Sequence, residues 1–137
     1  IYASTKEEVA TDELIKLSLA IGKKVYIPFV LTPAVAEIHD RADLVTGTLG
    51  IRQPKPGLLP KSRKIPGFDL IIVPGLAFDL EHHRLGSGSG WYDCFLGSLT
   101  QKTSTIGLAF EVQITPKLPR ENSDLPVEMV VTEQRLF

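Results

Sequence analysis

One cysteine, one methionine and one tryptophan occur in 137 residues, and aromatic side chains make up only 7% of the chain. A lone thiol, Cys94, can form no intrachain disulfide, so the fold uses no covalent staple and suits a reducing cytoplasm. Neither charge sign is in excess: 15 Lys and Arg oppose 16 Asp and Glu, a formal net charge of −1. The basic residues are dispersed, which removes the electrostatic footprint of a nucleic-acid binder. No apolar run approaches the ~20 residues a membrane helix needs, and Ile1-Tyr2-Ala3-Ser4 is not a charged start followed by a signal-like core. No initiator Met is present and Ile1–Ala3 reads as the inside of a strand, so the chain is expected to be N-terminally incomplete.

What is there is 43% hydrophobic and 23% charged, the profile of one soluble domain over residues 1–137. At this length folding removes roughly two-thirds of the chain's accessible surface from water, enough for a proper apolar core. Thr11 as N-cap, acidic Asp12 and Glu13, and apolar Leu14, Ile15, Leu17 and Ile21 predict a helix closed by Gly22, Lys23 and Lys24. With a strand at Ile1–Ser4 and another at Val25–Phe29, this makes a β-α-β unit and implies a parallel sheet. Short strands are expected at Val35–Ile38 and near Thr48–Ile51. Pro54, Pro56, Pro60 and Pro66 with Gly57 and Gly67 predict a long surface excursion over 52–67.

Asp69–Gly75 is a continuous apolar run ending in a turn, the pattern of a strand buried on both faces. A loop to Gly90, a helix beginning at Trp91, a buried strand at Thr105–Phe110 and a last strand at Val127–Thr132 complete an α/β layered domain, its sheet mainly parallel and flanked by helices.

The chemistry concentrates in Arg84-Leu85-Gly86-Ser87-Gly88-Ser89-Gly90. Three alternating glycines free the backbone to approach a ligand and to adopt positive φ, so successive amides can converge on an anion, with Arg84 adding a charge-assisted contact. The plain alternative is a flexible surface turn. The position, following a strand's carboxyl end, favours a phosphate site, and Asp93 can hold a cation on the phosphates. Neither a Rossmann fingerprint nor a P-loop is matched. His82 and His83 read as solvated loop residues, Cys94 as a half-buried small residue, and the Gly-Ser-Gly spacing does not fit a nucleophile elbow.

Three segments in order, Asp69-Leu70-Ile71-Ile72-Val73-Pro74-Gly75-Leu76-Ala77-Phe78-Asp79, Arg84-Leu85-Gly86-x-Gly88-x-Gly90-Trp91-Tyr92-Asp93 and Gly107-Leu108-Ala109-Phe110-Glu111-x-Gln113, resemble the signature of the 5-formyltetrahydrofolate cyclo-ligases. Glu8-Val9-x-Thr11, Gly50-Ile51-Arg52-Gln53-Pro54 and Asp124-Leu125-Pro126-Val127 extend the likeness over essentially the whole chain. The resemblance implies an enzyme that uses ATP and Mg²⁺ to close 5-formyltetrahydrofolate to 5,10-methenyltetrahydrofolate through a phosphorylated formyl oxygen. It assigns Arg84, Leu85, Gly86, Ser87, Gly88, Ser89, Gly90, Trp91 and Tyr92 to the nucleotide, with Arg84 and Tyr92 catalytic. Asp93 and Asp124 fall to magnesium, Ala3 and Glu8 to the folate.

Each assignment has a plainer counterpart. Glu8 could be a solvated acid beside the helix, Asp124 the start of a turn before Pro126, and Trp91 and Tyr92 core aromatics. The chain also departs from the family pattern, because Phe29, Ser87, Ser89 and Cys94 are neutral where basic or bulky residues are usual. The alternative is therefore a non-catalytic homologue that binds a nucleotide or a folate-like ligand.

Overall fold

The computed structural model describes residues 1–62, 65–121 and 124–137. Its chain contacts gather into two compact units, Ile1–Pro66 and Gly67–Phe137.

In the first unit, helix α1 (Asp12–Ala20) ends in a Schellman arrangement: Gly22, at φ +77°, donates to Leu19 O at 3.0 Å and Lys23 N donates to Ser18 O at 2.9 Å. Of the expected apolar stripe only Ile15 is fully buried, while Leu14, Leu17 and Ile21 are exposed. Strand β1 (Val25–Pro28) pairs antiparallel with β2 (Val35–Ile38), Val25 opposite Ile38, and their alternate residues Val25, Ile27, Ala36 and Ile38 are buried. Ala3, Ile15, Val25, Ile27 and Ile38 form the core of this unit. Strand β3 (Leu44–Thr46) pairs antiparallel with β4 (Arg52–Pro54).

The β-α-β expectation is corrected here. Ile1–Ser4 forms no strand: Ile1 N reaches β1 once, donating to Tyr26 O at 3.1 Å, and the backbone of Tyr2 and Ser4 pairs with side chains instead. Ser4 N donates to Thr11 Oγ1 at 3.1 Å, Thr11 Oγ1 donates to Tyr2 O at 2.8 Å, and Arg52 Nη2 donates to Ser4 O at 2.9 Å. Thr11 stands at the N-cap position, but its hydroxyl is committed to this segment and caps nothing. Thr48–Gly50 is a 3₁₀ turn rather than a strand, and the excursion over 52–67 begins with β4 and contains a further 3₁₀ turn at Pro56–Leu58.

Leu49 lies inside the first of those turns at φ 61°, 83% exposed. A left-handed conformation costs a non-glycine residue about 1–2 kcal/mol, and this side chain buries too little to offset it. Leu49→Gly should therefore raise the unfolding free energy by roughly 0.5–1 kcal/mol after the extra entropy of the unfolded glycine is subtracted. A urea titration measures it, and a lower midpoint would refute the strain argument.

In the second unit, β5 (Leu70–Val73) runs parallel to β8 (Ser104–Leu108), and β8 runs parallel to β10 (Met129–Val131), which makes a parallel three-stranded sheet with β8 at its centre. Ile71, Ile72 and Val73 are buried, as the apolar run predicts. Helix α2 (Trp91–Gly97) follows the glycine loop and buries Phe95. The expected single loop from Gly75 to Gly90 instead holds a hairpin of β6 (Ala77–Asp79) and β7 (Arg84–Leu85), with β9 (Ile114–Thr115) parallel to β6 on its other side. Among the described residues no helix is long and apolar enough to cross a membrane.

Candidate functional site

The hairpin brings the loop to its place. Phe78 of β6, fully buried, seats its ring on the backbone of two glycines, Gly75 after β5 and Gly107 in β8. A Cβ at Gly75 would lie 2.7 Å from Phe78 Cε2, and one at Gly107 would run into Cε1 with Cζ 2.8 Å away, so both positions need glycine for close approach. Gln113 locks the same corner: its amide nitrogen donates to Gly75 O and Leu76 O, both at 3.0 Å, while its oxygen accepts from Phe110 N at 2.7 Å.

From this support β7 delivers Arg84, whose side chain is only 5% exposed. Its Nη2 donates to Asp93 Oδ2 at 2.8 Å, its Nη1 to Leu125 O at 3.3 Å, and its guanidinium carbon stands 5.6 Å from the Tyr92 ring centroid. Asp93, in the first turn of α2, also accepts from Leu125 N through Oδ1 at 3.2 Å. Strand, helix start and the 124–125 segment thus converge on one carboxylate. Between them Gly86–Gly90 is exposed, with Gly88 at φ 87° and Gly90 at φ 61°, as the alternating glycines foretell. A Cβ at Gly86, Gly88 or Gly90 would meet nothing within 4 Å, so the loop is open on that side.

The two serines of the loop are exposed, and Ser89 Oγ makes one weak contact, accepting from Trp91 N at 3.4 Å. Trp91 is half-buried, stacked on Phe95 at 4.9 Å and edge-on to Tyr92 at 4.8 Å. Asp124 accepts from Glu121 N through Oδ2 at 2.8 Å, a turn contact. Cys94 is exposed, not half-buried as the helix pattern suggests, because it faces away from Phe95's buried side of α2.

In the other unit, Ala3 is buried and Glu8 is half-buried, its Oε2 accepting from Thr5 N at 2.7 Å. The base of the Thr5–Ala10 loop is closed by Thr11 N donating to Ser4 Oγ at 3.1 Å and by Tyr2 OH donating to Val9 O at 2.9 Å. Burial first, and then Glu8, push the Tyr2 phenol pKa up. Arg52 braces this loop: it grips Asp12 through two contacts, Nη1 to Oδ1 at 2.6 Å and Nη2 to Oδ2 at 2.8 Å. The hydrogen bond from Arg52 holds the Asp12 carboxyl below its ordinary range. Phe29 is buried at 7% exposure, a core residue of its unit.

Sequence reasoning left Asp79, Gln113 and Arg52 without roles, although all three stand in the segments that carry the resemblance. Asp79 carried the clearest signal, an acid directly after Ala77-Phe78 at the end of an apolar stretch. It is fully buried. Burial alone would raise its pKa, but the amides of Leu118, His83 and Glu81 outweigh that and hold the carboxyl below its usual value. His83 is likewise not a solvated loop residue: its Nδ1 is buried 3.6 Å from Asp79 Oδ1, with no hydrogen-bond partner among the described residues.

The arrangement has known counterparts. The sequence profile of the 5-formyltetrahydrofolate cyclo-ligase family matches residues 1–133. The 5-formyltetrahydrofolate cyclo-ligase of Escherichia coli (strain K12) is 36% identical over 147 residues, spanning 100% of this chain and 78% of that protein. That of Mus musculus is 34% identical, over 97% of this chain and 71% of its own. The NMR structure of Aquifex aeolicus 5,10-methenyltetrahydrofolate synthetase superposes with a TM-score of 0.76 at 35% identity, covering 98% of this chain and 68% of the other. With the three signature segments folded into one corner of a parallel sheet and the likeness running from end to end, this chain belongs to the 5-formyltetrahydrofolate cyclo-ligase family.

Proposed function

We propose that residues 1–137 act as one cyclo-ligase-like α/β domain in the cytoplasm, closing 5-formyltetrahydrofolate to 5,10-methenyltetrahydrofolate with ATP and Mg²⁺. The observation that carries this reading is the convergence of Arg84, Tyr92 and Asp93 beside the open glycine loop. Amides of Gly86–Gly90 and the Arg84 guanidinium supply donors for phosphate oxygens. The donor set also fits magnesium, which takes one or two carboxylates and completes its shell with water and phosphate oxygens. Asp93 and Asp124 would hold it.

The chemistry asks the protein mainly to position groups and offset charge. The formyl oxygen attacks the terminal phosphorus of ATP and ADP leaves; the second bridging nitrogen then attacks the activated carbon, gives up its proton to solvent, and phosphate leaves with that oxygen as the ring closes. Arg84 offsets charge on the transferring group, and the Tyr92 phenol, held against Arg84, lies beside the same oxygens. Glu8 suits the row of N–H donors on a pterin edge, and the resemblance assigns Ala3 to the same ligand. Arg84 and Asp93 neutralise each other at rest, so a phosphate and a cation would each draw on one partner of an existing pair.

The protein mixed with 5-formyltetrahydrofolate, ATP and Mg²⁺ should form the methenyl product, followed by absorbance, and ATP should bind more tightly with Mg²⁺ than in excess chelator. The absence of both turnover and ATP binding would overturn the reading. Binding without turnover would favour the non-catalytic homologue, for which the neutral Ser87, Ser89 and Cys94 around the loop are the supporting observation.

A further inference from the structure

We propose that Asp79 is a positioning residue: it sets, from behind, the convergence of Arg84 and Leu125 on Asp93 and thereby the affinity of the site for nucleotide phosphates. The inference rests on the proposed nucleotide site. Asp79 ends β6 with its carboxylate fully buried. Oδ1 accepts from Glu81 N at 3.0 Å and from His83 N at 2.9 Å, while Oδ2 accepts from Leu118 N at 3.1 Å. Arg120 adds a second strap, with Nη2 2.5 Å from Glu81 Oε2 and 3.7 Å from Asp79 Oδ2. One side chain therefore ties together two stretches far apart in sequence, the hairpin turn at 80–83 and the segment at 118–120.

The hairpin arm leads directly into the site, because His83 precedes Arg84, which reaches Asp93 Oδ2; on the other arm Leu125, whose N–H reaches Asp93 Oδ1, follows Leu118 in sequence, with residues 122–123 between them outside the described residues. Val127 N donating to His82 O at 3.0 Å ties the same two arms a second time. Asp79 fixes the arms at one end and Asp93 receives them at the other, so a shift at Asp79 changes how Arg84 and the 124–125 segment meet. Only a carboxylate serves here, because every partner is a donor. An amide would turn its own N–H₂ toward a backbone N–H, and an apolar residue would leave three amides without this acceptor, the buried one of Leu118 among them. Asp79 touches none of Arg84, Tyr92 or Asp93 among the hydrogen bonds and ion pairs described, so its influence on them is indirect.

The test compares Asp79→Asn and Arg120→Gln with the unaltered protein by calorimetric titration of ATP with Mg²⁺, and by separate KM values for ATP and 5-formyltetrahydrofolate. A misplacement of about 1 Å at a positioned site can cost on the order of 10²-fold. Asp79→Asn should accordingly raise the ATP Kd and KM by about tenfold or more while the folate KM stays within about twofold. Arg120→Gln, which leaves Asp79 in place, should raise the ATP Kd by about two- to fivefold with little change in Tm. A purely structural role would lower Tm and leave the ATP Kd of the folded fraction unchanged; that result overturns the proposal. If Asp79→Asn does not fold, an unaltered ATP Kd in Arg120→Gln overturns it alone. ATP binding in the unaltered protein with no change in the variants defeats only the positioning role, whereas no ATP binding in the unaltered protein defeats the nucleotide site as well.

Discussion

Gly107→Ala should be the most destabilising small substitution in the second unit. The added methyl would occupy the place of Phe78 Cε1, and the Phe78 ring, fully buried, is stopped on its other edge by the backbone at Gly75. Gly107 lies at the centre of the parallel sheet, opposite Val73 on one side and Val130 on the other, so the backbone has no room to yield. Overpacking of this kind costs about 1–3 kcal/mol and occasionally more. In a chain of this size that lowers Tm by roughly 5–15 °C, read from a thermal melt. Two controls sharpen it. Gly57→Ala, where a Cβ meets nothing within 4 Å, should change Tm little, and Phe78→Leu in the Gly107→Ala background should recover part of the loss. A Tm for Gly107→Ala within a degree of the unaltered protein would show that the ring and the sheet do not press together.

The largest functional effect is expected at Arg84. Its guanidinium serves Asp93, Leu125 and the Tyr92 face at once, and it is nearly buried. Arg84→Ala removes the donor proposed for the transferring phosphoryl group and leaves Asp93 without its cation. A loss of about 10²–10³ in kcat/KM is expected, the scale for one preorganised donor facing transition-state charge. Arg84→Lys keeps the charge but not the fork that reaches two partners in different directions, so it should recover only part of the activity. Steady-state kinetics decide it, with a melt to establish that each variant folds. A kcat/KM within twofold of the unaltered protein in Arg84→Ala would remove Arg84 from the reaction.

Local pattern carried further in the second unit than in the first. The β5 run is apolar on both faces because Ile71, Ile72 and Val73 are all buried, although Leu70 at its start is exposed, and α2 starts where Gly90 permits a left-handed turn before Trp91. The hairpin between them was not legible, since two- and three-residue strands give no periodicity and Glu81-His82-His83 looks like loop. The first unit misled at Ile1–Ser4. Tyr2, Ala3 and Ser4 are buried as strand residues would be, but the Thr11 hydroxyl and the distant Arg52 satisfy the backbone of Tyr2 and Ser4 in place of a partner strand. Thr48–Ile51 failed for a simpler reason, because the left-handed Leu49 and Gly50 break any extended run.

By itself the sequence determined the α/β class, the parallel sheet of apolar strands, the glycine loop before a helix and, through three ordered segments, the family. These rest on local propensity and on residue order, both of which a linear chain displays. The tertiary structure alone decided that Arg84 and Asp93 are partners, that Gly75 and Gly107 exist to seat Phe78, and that Asp79 is a buried tie between distant segments. A charge's partner depends on which segments the fold brings within about 3 Å of it, and hydrogen bonds across 9 or 39 residues leave no periodic trace in the sequence.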